Sequence, residues 1–177
     1  LGGRSLTWGR QTYRWSDYDF GANKRDGHGT DWPIRYAELA PWYDKVEEFI
    51  GVSGQAEGLA QLPDGKFQPA MALNVVETHV RETVRARWPE RCLTIGRTAN
   101  LTQEKPDEGR GPCQFCSICA RGRSYGAYFS TQSSTLPAAQ KTGRLTVITD
   151  AVVEKLDYDP ATRKVTWEYF VKDGEKA

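Results

Sequence analysis

Three of the four cysteines lie within one short segment, and cysteines spaced this closely can bind a metal. Cys113, Cys116 and Cys119 fall within seven residues of GPCQFCSICARG, whereas Cys92 stands apart. A secreted disulfide scaffold distributes its cysteines through a shorter chain, so this spacing favours a metal or cluster site, or the former ligands of one. Cys92 is predicted to be a small buried hydrophobic residue.

The first ten residues, LGGRSLTWGR, hold a second group of residues suited to a site. Gly2 and Gly3 lack a Cβ atom, so the backbone there can turn sharply or approach a large group closely. Ser5 supplies a hydroxyl group nearby. We therefore predict that something large lies against the two glycines; the alternative is an ordinary glycine turn.

The composition indicates a globular chain and excludes several classes of partner. The 177 residues are 38% hydrophobic and carry a formal net charge of +1, which fits one domain, or a piece of one, with a buried core. Lys and Arg are spread through the chain, so no nucleic-acid partner is expected. No apolar run reaches the length of a membrane span. A chain that begins at Leu1, without a methionine, is expected to be a processed or truncated product.

Two helices are predicted in the first half of the chain. The first opens at Pro41, whose missing N–H needs no partner at a helix start, and is stopped by Gly51 to Gly54. The second covers MALNVVETHVRETVRARW and ends before Pro89. Each places apolar residues on one face: Trp42, Val46, Phe49 and Ile50 in the first, and Leu73, Val76, Val80 and Val84 in the second.

A loop followed by a small sheet is predicted for the rest of the chain. Residues 97–125 are polar and contain glycine, which predicts an irregular segment. RLTVIT, AVVEKLDY and VTWEYFVK are β-rich, and DPATRK between the last two predicts a β-hairpin or a three-stranded antiparallel sheet. The final KDGEKA contains a turn from which another strand can begin. The predicted fold class is therefore α+β.

Side chains suited to acid–base catalysis are few. His28, in the glycine-flanked turn RDGHGT, and His79, among polar helix positions, are poor candidates for a general base. No strand-linked GxGxxG motif is present to hold a dinucleotide pyrophosphate. The arginines and aromatics of RQTYRWSDYDF either line a site for a sugar or polyol or pack at a domain junction, and packing is the favoured interpretation.

Three segments in a fixed order resemble the glucose-methanol-choline (GMC) family of FAD-dependent oxidoreductases. They are LGGRSLTWGR, DWPIRYAELAPWYDKVEEFIGVSG and YGAYFSTQSSTLPAAQKTGRLTVITDAVVEKLDY, and together they span most of the chain. The bacterial branch of sugar, gluconate and glycoside dehydrogenases is the most similar. The resemblance implies that the chain is the central part of such a flavoprotein.

The resemblance also implies a set of FAD contacts. The segment with Gly2, Gly3 and Ser5 would pass along the flavin. Several family members carry a histidine, sometimes bonded covalently to the flavin, at the position of Thr7; threonine cannot form that bond, so noncovalent FAD is expected. The backbone of Val153 would contact the adenine edge; the alternative is that Val153 is a core residue of an alternating strand.

The family organisation implies three regions in this chain. Residues 1–25 would form a flavin-contacting loop region. Residues 26–140 would form a substrate-side region that includes a cysteine-bearing loop, residues 109–126. Residues 141–177 would be strands that return to the FAD-binding domain.

The resemblance makes an iron–sulfur cluster one interpretation of the cysteines. In some family members this loop supplies thiolates to a cluster, because soft sulfur ligands stabilise iron in both oxidation states. Here the position of the last family cysteine is Arg123, which cannot ligate iron, so a cluster would need a replacement ligand. A zinc site and a loop of packed or redox-idle thiols remain as alternatives.

The activity implied by the resemblance is oxidation of an alcohol group of a sugar, polyol or glycoside by hydride transfer to flavin. The family's catalytic histidine lies near the C-terminal end, outside this chain, so no catalytic residue is assigned. The expected partners are a small alcohol or sugar substrate and either an electron-acceptor protein or the rest of the same enzyme, in the bacterial cytoplasm or periplasm. A metal or iron–sulfur electron-transfer module and a noncatalytic fragment or subunit are the alternatives.

Overall fold

The computed structural model describes residues 3–121 and 125–176. The chain divides into two compact units, Leu1–Lys141 and Thr142–Ala177. Helices and irregular segments form the first unit, and a small antiparallel sheet forms the second. This combination confirms the predicted α+β class.

Within the described residues, most helices of the first unit are short. None of them combines the length and apolar character that crossing a membrane requires. The α-helices are α1 (Arg4–Thr7), α2 (Asp17–Phe20), α3 (Ala22–Asp26), α4 (Tyr36–Ile50), α5 (Val75–Arg87) and α6 (Leu136–Lys141). Two 3₁₀ turns, Pro106–Glu108 and Cys119–Arg121, and a π-helical turn, Thr131–Thr135, complete the unit.

Helix α4 begins five residues earlier than the sequence predicts. Its first backbone N–H groups are capped by carboxylates: Arg35 donates to Glu38 at 2.8 Å, and Tyr36 donates to the side chain of Asp17 at 2.8 Å. These caps start the helix before Pro41, which therefore lies inside it. The predicted end is confirmed, because Gly51 terminates the helix with φ +77°.

The predicted apolar face of α4 is only partly buried. Ile50 is buried, but Trp42 is 62% exposed and Val46 is 52% exposed. Helix α5 is capped by Asn74, whose side chain accepts from the N–H of Glu77 at 2.9 Å. This helix buries none of its residues. It ends before Pro89 as predicted, but it begins at Val75, so Leu73 of the predicted apolar face precedes it.

The core of the first unit is built around residues 97–101. Ala99 and Leu101 are fully buried, and Ala99 packs with Ile50 and Val52. Trp8, Phe67 and Phe129 cover this cluster. The stretch predicted as an irregular segment thus starts with the most central residues of the unit.

Backbone hydrogen bonds explain this central position. On one side, Thr98 exchanges two hydrogen bonds with Ser53, at 2.8 and 2.9 Å. On the other, Ala99 donates to the carbonyl of Arg10 at 2.8 Å and accepts from Phe129 at 2.8 Å. Residues 97–101 therefore lie between neighbours on both sides, as an inner strand of a sheet does.

The second unit is a three-stranded antiparallel sheet in the order β1-β2-β3. Its strands are β1 (Ala151–Asp159), β2 (Lys164–Lys172) and β3 (Glu175–Lys176). The hairpin and the short strand after the KDGEKA turn confirm the prediction. The prediction of a strand at RLTVIT is wrong, because residues 144–149 form no strand. High β-propensity does not make a strand without a partner to complete its hydrogen bonds.

Candidate functional site

A pocket of about 420 Å³ brings the first segment of the chain next to the cysteine-bearing loop. We call it the Arg10 pocket. Its lining comes from the end of α1 and the residues that follow it, from the central stretch, from the 3₁₀ turn at Cys119 and from the buried residue Tyr128. The lining residues are Leu6, Thr7, Trp8, Gly9, Arg10, Thr98, Asn100, Cys119 and Tyr128.

The described part of the glycine pair has open space beside it. Gly3 has φ +46° and ψ −129°, a backbone conformation that residues with a Cβ atom rarely adopt. A Cβ atom built on Gly3 would meet no atom within 4 Å. Gly3 therefore both turns the chain and leaves room for another group. Gly2 lies outside the described residues.

Ser5 and Thr7 occupy different surroundings. The Ser5 hydroxyl accepts a hydrogen bond from the backbone N–H of Thr131 at 3.0 Å, which fastens α1 to the π-helical turn. Thr7 is exposed and lines the Arg10 pocket, while its hydroxyl donates to the carbonyl of Arg4 at 3.5 Å. Of these two predicted cofactor contacts, Thr7 lines the pocket directly, whereas Ser5 positions the segment that carries it.

Arg10 is a charged residue buried at the pocket, with only 7% of its surface exposed. Its terminal Nη groups donate to the carbonyls of Trp8 and Leu6, the latter at 2.8 Å. The guanidinium lies 4.2 Å from the centroid of the Tyr128 ring, in cation–π contact. Its backbone has φ +62°, which is strained for a residue with a long side chain. The surrounding hydrogen bonds hold this strained conformation in place.

Three polar atoms of the pocket residues are buried without a hydrogen-bond partner among the described residues. They are Nε1 of Trp8, Nε of Arg10 and Oδ1 of Asn100. An unpartnered buried polar atom costs about 1–3 kcal/mol. These three atoms are buried, so they do not face the open volume of the pocket. The open space beside Gly3 and the exposed position of Thr7 leave room for a bulky ligand such as part of FAD.

The cysteines line or adjoin the same region. Cys119 lines the Arg10 pocket, and the sulfur of Cys113 accepts from the side chain of Asn100 at 3.5 Å and from the N–H of Phe115 at 3.4 Å. Cys116 is exposed. Across residues 3–121 and 125–176, no group of three metal-binding side chains is arranged to hold a metal ion. Arg123 lies outside the described residues, and a metal site at these cysteines stays a prediction.

Cys92 is exposed, so its prediction as a buried hydrophobic residue is wrong. It follows the turn at the end of α5, where the backbone runs along the surface. It lines a separate pocket of about 550 Å³, together with Arg81 and Arg85 of α5. The sequence around Cys92, which is distant from the other cysteines, contains no pattern that indicates its exposure.

Val153, the predicted adenine contact, lies in β1 opposite Phe170 of β2. Its side chain is 52% exposed. The pairing of the two strands shifts register between Val153 and Lys155, which indicates a β-bulge at this point. A bulge leaves a residue out of the regular ladder and re-aims the neighbouring backbone, which suits a strand that binds a ligand through its main chain.

The stretch RQTYRWSDYDF is divided between packing and exposed surface, so the favoured packing interpretation holds for part of it: Tyr13, Trp15 and Tyr18 are 48%, 50% and 66% exposed. Phe20 is buried against the rings of Trp15 and Trp32, and Arg14 is buried in an ion-pair cluster. Arg10, the first residue of the stretch, is the exception because it lines the pocket. Asn100 and Tyr128 were not predicted as site residues, and Arg10 was predicted as one only in the less favoured interpretation of its stretch.

Parts of the chain are similar to two curated enzymes. The chain is 41% identical over 125 residues to paromamine 6'-oxidase of Streptomyces fradiae, an alignment that covers 67% of this chain and 21% of that protein. It is 38% identical over 66 residues to 2-methyl-1,2-propanediol dehydrogenase of Mycolicibacterium austroafricanum, covering 36% of this chain and 12% of that protein. The aligned regions thus span about a fifth or less of these relatives. No protein-family model matches the sequence.

Proposed function

We propose that this chain is part of an FAD-dependent oxidoreductase of the GMC family that oxidises an alcohol group of a sugar, polyol or glycoside. The observation that carries the proposal is the 41% identity over 125 residues to an enzyme named as an oxidase of paromamine. The second relative is named as a dehydrogenase of a small diol, so alcohol oxidation is common to both names. The three sequence segments that resemble the GMC family support the cofactor and the family.

The Arg10 pocket supports a bulky ligand at the predicted flavin-contacting segment. Gly3 leaves open space beside the backbone, and Thr7 faces the pocket a few residues later. These residues would contact FAD, and Thr7 offers no nitrogen for a covalent histidyl link. The family resemblance also implies that the main chain of Val153 would contact the adenine.

Bound FAD would accept the hydride that leaves the alcohol carbon. The residues of this chain would hold the flavin-contacting segment in place. Ser5 holds the segment of Gly3 and Thr7 through its hydrogen bond with Thr131.

The proposal is tested on the full-length protein that carries this chain. We expect purified protein to show the absorption bands of a flavin, to release FAD into solution on acid precipitation, and to lose its visible colour when a sugar or polyol is added without air. Protein that holds no flavin after incubation with FAD would overturn the proposal. Flavin that stays attached after denaturation would overturn the noncovalent assignment.

A variant at Gly3 tests the flavin contact directly. Gly3→Ala adds a methyl group into the space beside the segment, and we expect a clear loss of FAD per protein chain. Gly58→Ala is a matched control, because Gly58 also has a positive φ, +67°, and also has no atom within 4 Å of a built Cβ. Equal FAD content in the two variants would contradict the contact at Gly3.

A further inference from the structure

We propose that the pocket beside the C-terminal half of α5 binds a small phosphate monoester that also carries hydroxyl groups. We call it the α5 pocket: it has a volume of about 550 Å³ and is lined by Arg81 and Arg85 of α5 and by Arg91 and Cys92 after the helix. Its ligand would be a further one, besides the FAD and the alcohol of the proposed function.

The three arginines of the α5 pocket lack a strong anionic partner. Across residues 3–121 and 125–176, the side chains of Arg81 and Arg85 form no ion pair and no hydrogen bond. Arg91 lies 3.8 Å from Glu90, and these two side chains are 73% and 69% exposed. An exposed pair at this distance is weak, so all three guanidinium groups remain able to bind an anion.

The spacing of Arg81 and Arg85 suits one phosphate group. They lie four positions apart in α5, which places their Cβ atoms about 5–6 Å apart on one side of the helix. Two like charges at this spacing destabilise a helix, and a bound dianion would remove the repulsion. A guanidinium group donates parallel hydrogen bonds to two phosphate oxygens. Arg81 and Arg85 would therefore hold one phosphate group from two sides.

The rest of the lining suits the organic part of the ligand. Leu93 and Ile95 are half-buried and give the pocket an apolar wall. The carboxylates of Glu57 and Glu82 also line it, and carboxylates accept hydrogen bonds from hydroxyl groups. The volume is that of a site for a small molecule, which favours such a ligand over the flat surface of an acidic protein.

The thiol of Cys92 reports directly on this pocket, because Cys92 lines it and is exposed. The probe is D-glucose 6-phosphate, and the readout is the rate at which uncharged iodoacetamide alkylates Cys92 in the full-length protein, measured by peptide mass spectrometry. At about ten times its dissociation constant, the probe should slow this reaction about tenfold. N-acetylcysteine in the same solution should react at an unchanged rate, which controls for effects on the reagent.

Three other additions identify the chemistry that is recognised. D-glucose lacks the phosphate group and should give no protection at the same concentration. Inorganic phosphate reaches the arginines alone and should protect with a weaker affinity. Hexaglutamate represents an acidic protein surface. Cys92 that reacts at the same rate with and without D-glucose 6-phosphate would overturn the proposal, and so would protection by hexaglutamate alone or equal protection by glucose.

Two variants attribute the protection to the arginines. Arg81→Gln and Arg85→Gln change exposed positions, so both proteins should fold, and each should raise the dissociation constant for D-glucose 6-phosphate about tenfold or more. Arg87→Gln is the matched control, because Arg87 is exposed on the same helix but does not line the pocket. Unchanged affinity in both pocket variants, or an equal loss in Arg87→Gln, would show that the arginines of the α5 pocket do not bind the phosphate.

Discussion

Arg14 and Glu47 form a buried ion pair between the segment before α2 and the last turns of α4. Nε of Arg14 donates to Oε1 of Glu47 at 2.9 Å, and the two side chains are 3% and 2% exposed. The other oxygen of Glu47 accepts from the backbone N–H of Lys66 at 3.0 Å. Three segments distant in sequence therefore meet at one carboxylate.

Arg14→Met should destabilise the protein by about 3–5 kcal/mol, because it leaves the buried Glu47 carboxylate without its cation. The free energy of unfolding in urea measures the effect. Arg91→Met is the control: Arg91 lies 3.8 Å from Glu90, and their side chains are 73% and 69% exposed. An exposed pair contributes about 0–1 kcal/mol, so this variant should stay close to wild type. Similar losses for the two variants would contradict the role of Arg14.

Gly51→Ala should also be strongly destabilising. Gly51 has φ +77°, and a Cβ atom built there would lie 2.0 Å from Cδ2 of Leu101, a fully buried side chain. Backbone strain and overpacking each cost about 1–3 kcal/mol, so we expect a loss of about 2–6 kcal/mol in the free energy of unfolding.

Gly27→Ala separates the two causes of that loss. Gly27 also ends a helix, with φ +74°, but a built Cβ meets nothing within 4 Å. The Gly27 variant should show backbone strain alone, so its loss of stability should be clearly smaller. If both glycine variants lose the same stability, the clash with Leu101 contributes nothing.

The carboxylate of Asp64 should make part of the stability depend on pH. Hydrogen bonds from the N–H of Glu57, then from Gly58, together with the charge of Arg97, lower the pKa of Asp64 below its ordinary value of 3.8. A lowered folded-state pKa means that this stabilisation is complete above the ordinary pKa and is lost as the pH falls through the folded value.

Asp64→Asn should therefore cost most near neutral pH and progressively less in acid. Urea unfolding between about pH 6 and about pH 3 would follow the difference from wild type. Asp26→Asn is a control, because the Asp26 side chain is 57% exposed. A constant difference between wild type and Asp64→Asn across this range would refute the assignment.

Features set by local signals could be predicted from the sequence. Gly51 ends α4 because glycine adopts the left-handed conformation that a helix end requires. Pro89 marks the end of α5, and DPATRK joins two strands that alternate; the Asn74 cap is also a local signal, but the predicted span began before it. Each of these signals acts over a few residues, so the sequence carries it directly.

Features that depend on distant segments could not be predicted in the same way. The cap on Tyr36 comes from Asp17, 19 residues away, which is why Pro41 was a misleading start for α4. In the central stretch every second residue is buried: Arg97, Ala99 and Leu101. This two-residue period is typical of a strand, but the arginine in it hides the pattern in the sequence. The Arg10 pocket had no such signal, because it forms only when separate segments of the chain fold together.

The final prediction concerns Val153, whose backbone is expected to contact the adenine of FAD. If recognition goes through the main chain, Val153→Thr should keep wild-type FAD content, since it changes only the side chain. Val153→Pro removes the backbone N–H and should lower FAD content. FAD per chain, measured after acid release from the full-length protein, gives the readout.

Val165→Pro is the control for simple disruption of the hairpin. Val165 lies in β2 opposite Tyr158, beside the second register shift of the hairpin, between Asp157 and Tyr158, so proline there disrupts the strand at a comparable irregularity. A specific adenine contact requires that Val153→Pro lose more FAD than Val165→Pro. If the two proline variants lose FAD equally, or if Val153→Thr loses it as well, the main chain of Val153 is not the contact.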